Sequence, residues 1–93
     1  MILEVAILNI VKGLSKEFET AFKKAEILIS SSKGYISHEL KTCIEEDNKY
    51  ILLVKWETLK DHEIGFRQSK AYNKWKRLLH HFYHPFPKVE HYK

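Results

Sequence analysis

Residues 50–92 read YILLVKWETLKDHEIGFRQSKAYNKWKRLLHHFYHPFPKVEHY. Tyr50 to Glu57 is a strand of buried type, a run of branched apolar residues with few polar interruptions. Thr58, followed by Asp61, has the spacing of a capping box with Asp in place of Glu. It predicts a short helix to about Phe66. Ser69 can cap a second helix, on which Tyr72, Trp75, Leu78, Leu79 and Phe82 recur at helical spacing. Pro85 and Pro87 stop that helix, and Lys88 to Tyr92 is a short last strand.

Working outward, Ile2 to Val11 is a first strand with Leu3, Val5 and Ile7 on one face and Ala6, Leu8 and Ile10 on the other. Lys12-Gly13 breaks it, and Ser15 is expected to cap a helix. Phe18, Ala21, Phe22, Ala25, Leu28 and Ile29 form the apolar stripe of that helix, which ends in Ser30-Ser31-Ser32-Lys33-Gly34. Tyr35 to Ile44 alternates, with Ile36, His38, Leu40, Thr42 and Ile44 on one face. The polar turn Glu45–Lys49 joins it to the Tyr50 strand as a hairpin.

The order is β-α-β-β-α-α-β. This is the ferredoxin-like split β-α-β of the α+β class, a four-stranded antiparallel sheet with helices on one face. Residues 1–93 make one domain. A sheet covered on one side exposes polar residues on the other, yet the central strands here are apolar on both faces. The uncovered face is therefore expected to pair with its counterpart in a second copy, giving a homodimer.

The net charge of +4 is modest and spread along the chain, without the basic stripe of a nucleic-acid binder. Lys74, Lys76 and Arg77 read as a solvated helix face. The opening MILEVAILNIVKG lacks a basic leader and carries Glu4 and Asn9, so it reads as a strand and not a signal peptide. No run is long enough to span a bilayer. Cys43 is alone, which excludes an intrachain disulfide and fits a cytoplasmic protein. There is no Gly-rich phosphate loop, dinucleotide fingerprint, CxxCH or GxSxG.

Four segments carry a resemblance over nearly the whole chain: Gly34–Leu40, Leu52–Glu57, Asp61-His62 through Gly65–Ser69, and Pro85–Tyr92. In these the chain resembles the antibiotic biosynthesis monooxygenase family, whose architecture is a dimeric α+β barrel. The resemblance implies one of several activities on one scaffold. Some relatives oxidise aromatic polyketide or quinol-type substrates without metal or flavin, others degrade haem, and at least one isomerises small phosphorylated signals. The haem-degrading branch needs an Asn, a Trp and a His that would fall near Ala6, Phe66 and Trp75-Lys76 here, and all three are missing. No cofactor is expected.

His62 is the leading candidate residue. It shares a side of its short helix with Phe66, and neutral imidazole can take a proton from an acidic phenol or activated C–H. The alternative is a histidine packed at the barrel rim. Arg67 would balance negative charge on a substrate oxygen, or pair with Glu63 at helical spacing. Trp56, Phe66, Tyr72 and Trp75 would wall an aromatic pocket, or simply fill the core. His38 and Asn9 complete the candidate substrate contacts, against a core or interface histidine and a strand end. His80, His81 and His84 lack the further ligands a metal needs and read as a solvated helix end. The expected activity is cofactor-independent monooxygenation of a small aromatic or quinol-type compound. The alternatives are a non-catalytic small-molecule-binding dimer and an isomerase.

Overall fold

Two apolar strands, β1 (Ile2–Asn9) and β3 (Lys49–Trp56), lie side by side at the centre of one antiparallel sheet. The computed structural model describes residues 1–93. β2 (Tyr35–Thr42) flanks β3 and β4 (Val89–Tyr92) flanks β1, giving the order β2-β3-β1-β4. Helices α1 (Ser15–Ser30) and α2 (Lys70–Leu79) cover one face. This is the ferredoxin-like arrangement expected from the pattern.

The core follows from strand parity. On β1 the even positions Glu4, Ala6 and Leu8 point under the helices, and on β3 Tyr50, Leu52, Val54 and Trp56 do the same. They meet Phe18, Phe22, Ala25 and Ile29 of α1 and Trp75 and Leu79 of α2. Glu4 is the one carboxylate in that buried row. On the opposite face Val5 pairs with Leu53 and Ile7 with Ile51, and no helix covers them. Leu3, Val5, Ile51 and Leu53 are half-buried and Ile7 is exposed.

Several local details differ from the pattern. Ser15 does not cap α1; its hydroxyl donates to Asn48 Oδ1 at 2.6 Å, tying the helix start to the β2–β3 turn. The register of β2 shifts between Tyr35 and Ser37, so Ile36 leaves the row it would share with His38 and Leu40 and turns outward. Ile44 lies beyond the strand and is almost fully exposed. The first and third strands end one or two residues earlier than their apolar runs suggest.

The segment that carries His62 is a π-helix, Asp61–Phe66, in which the Arg67 N–H donates to the His62 carbonyl at 3.0 Å. Its start is capped as the spacing predicts: Asp61 N–H donates to Thr58 Oγ1 at 3.1 Å, and that hydroxyl donates to Asp61 Oδ2 at 2.9 Å. Gly34 sits against it at φ +84°, where an added Cβ would lie 2.2 Å from the Asp61 carboxyl. Ser69 caps α2, its hydroxyl accepting from Tyr72 N–H at 3.1 Å. Beyond α2 the chain makes a 3-10 turn, His80–Phe82, before Pro85.

Candidate active site

A cavity of about 60 Å³ opens between the sheet, the π-helical segment, α2 and the Tyr83–Val89 connection. Its walls are largely apolar and aromatic, with Phe66, Tyr72, Trp75 and Phe86 among them. Its polar groups are Glu4, His62, Arg67, His80 and Tyr83. This volume holds a few water molecules.

Glu4 and His62 form the polar corner. Glu4 is 5% exposed and His62 4%. Trp56 Nε1–H donates to Glu4 Oε1 at 2.9 Å, and His62 Nε2 lies 3.3 Å from the same oxygen. The other ring nitrogen, Nδ1, is 2.8 Å from His91 Nε2. The Trp56 indole stacks on the imidazole with centroids 5.2 Å apart and planes 19° from parallel. Phe66 lies 6.4 Å away with its plane 24° from the imidazole, and it also packs on Trp56 at 5.9 Å, so the three rings form one cluster. His62 is thus a packed interior residue, not one at the rim. The π-helical turn and the Thr58 cap aim it inward.

Burial decides the protonation of this corner. It pushes the Glu4 carboxyl up to about 7, against the opposing pull of the Trp56 hydrogen bond and the Arg67 charge. It pushes His62 down to about 3, with help from His91 and Arg67. The pair is therefore no ion pair at neutral pH. His62 is neutral, and Glu4 is near the midpoint of its titration, where a proton is gained or lost at little cost. Burial also lowers His80, aided by Lys76 and Arg67, and keeps the Tyr83 phenol protonated.

Of the residues singled out from the sequence, His62, Phe66, Arg67, Tyr72 and Trp75 line the cavity together. Trp56 is fully buried behind His62 and fixes both His62 and Glu4. Arg67 makes no salt bridge to Glu63; its guanidinium lies 6.0 Å from the Tyr72 ring centre. His38 and Asn9 stand outside the cavity. His38 bridges β2 to α1, with Nε2 2.7 Å from Glu26 Oε2 and Nδ1 bonded to the Tyr35 hydroxyl. Asn9 ends β1, and its carbonyl accepts from His84 N–H at 2.8 Å. His80 is not part of a solvated helix end, since it lines the cavity, whereas His81 and His84 are exposed.

Sequence reasoning missed Glu4, His91, Tyr83 and Phe86. Parity held a signal for the first: Glu4 shares a face with Ala6, Leu8 and Ile10, the row that turns inward. A carboxylate in such a row requires a partner. His91 follows only from pairing, because it lies opposite Glu4 in the β1–β4 register.

The antibiotic biosynthesis monooxygenase family model matches residues 1–78. A Bacillus subtilis (strain 168) protein, the uncharacterized protein YczJ, is 57% identical over all of this chain and 98% of its own length. A crystal structure from Bordetella bronchiseptica, carrying the same family name, superposes with a TM-score of 0.94 at 30% identity, over 99% of this chain and 94% of that one. SnoaB, a cofactor-independent oxygenase from Streptomyces nogalater, superposes at 0.72 and 19% identity over 98% and 87% of the two chains. At that identity the likeness to SnoaB is one of fold. The chain belongs to the antibiotic biosynthesis monooxygenase family.

Proposed function

We propose that the protein is a cofactor-independent monooxygenase of a small aromatic or quinol-type compound, and that the Glu4–His62 corner of the cavity is where the substrate is deprotonated. The observation that carries this reading is a buried carboxyl–imidazole pair on the wall of an aromatic-lined cavity. Such a pair takes a proton from a phenol or an activated C–H next to flat apolar walls. The electron-rich anion left behind passes an electron to dioxygen. For an anthrone the balance closes without a reductant: one oxygen atom enters the new carbonyl, the other leaves as water, and all electrons come from the substrate carbon. Arg67 lines the cavity, and its role in this reading is to balance negative charge that develops on the substrate oxygen. Phe66, Tyr72 and Trp75 are the walls. That SnoaB works without a cofactor on this fold supports the reading.

The test is oxygen uptake with anthrones and hydroquinones in the presence of a chelator, using isotopically labelled dioxygen. Incorporation of one labelled atom per product is expected. If every probe is consumed only at the background rate, the oxygenase reading fails and a binding role replaces it.

A further inference from the structure

The polar corner continues past the cavity. Glu4 on β1 and His91 on β4 are direct cross-strand partners, so both side chains rise from the same face of the sheet. His62 lies over them with one nitrogen toward each, 3.3 Å to Glu4 Oε1 and 2.8 Å to His91 Nε2. Glu4 borders the cavity; His91 does not. His91 is instead half-buried on an edge strand. A line of polar contacts thus runs from the cavity wall to the edge of the sheet, hydrogen-bonded between His62 and His91 and closed by a 3.3 Å approach between Glu4 and His62.

We infer that Glu4 is the proton acceptor of the cavity, and that His62 and His91 form the path by which its proton exchanges with solvent. The acceptor half rests on the oxygenase reading above; the path does not. In turnover the substrate O–H or C–H bond breaks, its electron pair stays on the substrate, and the proton goes to the Glu4 carboxylate. After oxygen addition Glu4 returns that proton to the peroxide; the carbon's second C–H bond then breaks, its electron pair forms the new C=O bond as the O–O bond breaks, and the departing hydroxide takes up that second proton and leaves as water. In the resting protein protonated Glu4 donates to His62 Nε2 while the His62 Nδ1 proton moves to His91 Nε2, and His91 hands a proton to solvent. Reversal of these shifts recharges the carboxyl. The charged and titratable groups around this line are Arg67 and His80 from the helical side and Tyr83 from the connection to β4.

The path is tested on the free protein, without substrate, by nitrogen NMR of the histidine rings and infrared titration of the Glu4 carboxyl. The carboxyl band should vanish with a midpoint near pH 7, and Glu4→Gln should remove it. Across the same midpoint His62 should switch from its Nδ1–H to its Nε2–H tautomer, and His91 should follow. In Glu4→Gln, an isosteric change, the switch should disappear. One fixed His62 tautomer at all pH values, or a Glu4 that titrates as an ordinary exposed carboxylate, overturns the path. On a probe that is consumed, Glu4→Gln should lower kcat by ~10²–10⁴-fold with little change in KM. His91→Phe should slow exchange of the Glu4 proton with solvent in the free protein, and added imidazole should restore it, while kcat changes little because each cycle returns the proton to the peroxide. Full rate in Glu4→Gln overturns the acceptor. Tautomer switching in a protein that consumes no probe means that the oxygenase reading has failed and the path stands.

Discussion

His62 and Glu4 are each held in the form that burial prefers, and this makes the corner's contribution to stability depend on pH in opposite ways. Folded His62 binds a proton only near 3, whereas the unfolded chain binds it from the ordinary 6.5 downward. Acid therefore favours unfolding, and stability is lost as pH falls from 6.5 toward 3. Folded Glu4 keeps its proton up to about 7, whereas the unfolded chain releases it near 4.5. Stability from this group falls as pH rises from 4.5 to 7. The two slopes overlap and oppose each other between 4.5 and 6.5. Thermal unfolding of Glu4→Gln should leave the His62 slope alone, so that stability rises throughout the range from 3 to 6.5. A flat profile over that range would show His62 to be as easily protonated in the fold as outside it. Its neighbour Phe66 was legible from its spacing four residues on along the same short helix. Its carboxyl partner was not, because Glu4 lies more than fifty positions away on a strand whose other residues all read as core. Only the sheet register brings the two together.

At the scale of elements, the caps that set the cavity wall are local and were legible. Thr58 and Ser69 both accept the backbone N–H their spacing predicts. Ser69→Ala should lower stability by ~1 kcal/mol, the usual cost of losing an N-cap, read by denaturant titration. The π-helical winding of Asp61–Phe66 and the bulge at Ile36 were not legible, because both are answers to packing between segments distant in sequence. Gly34 shows this. Its positive φ and its close approach to Asp61 fix the start of the His62 segment against the entry to β2. Gly34→Ala should destabilise by more than the Ser69 change, since it strains the backbone and displaces the Asp61 carboxyl. It should also shift the His62 ring resonances, which Ser69→Ala should leave nearly in place. Unchanged His62 resonances in Gly34→Ala would detach the glycine from the site.

For the whole molecule, the open face of the sheet is the feature that the fold leaves without a cover. Leu3, Val5, Ile7, Ile51 and Leu53 form an apolar patch across the two central strands, bordered by Glu39, Lys41 and Lys55. We propose that a second copy packs its own patch there, sheet to sheet about a two-fold axis, since a self-complementary patch closes most simply as a dimer. Light scattering at micromolar concentration should give twice the chain mass. Leu53→Glu, which places a charge at the centre of the patch opposite Val5, should give the single-chain mass while keeping the helical and sheet signals of the fold. A wild-type protein that scatters as one chain would remove the barrel from the account. This patch was readable from the sequence because its alternation is strictly local. The cavity was readable only in part: Phe66, Tyr72 and Trp75 were, whereas Glu4, Tyr83 and Phe86 reach it from stretches that only the fold brings near.

The most direct test of the central claim compares oxygen uptake on an anthrone by the wild-type protein and by Glu4→Gln, with a chelator present and folding verified for both. The account predicts consumption well above background by the wild type, and a loss on the order of 10²–10⁴-fold in the variant with little change in KM. Equal rates in the two proteins would contradict it, for the reaction would then proceed without the corner on which the whole reading rests.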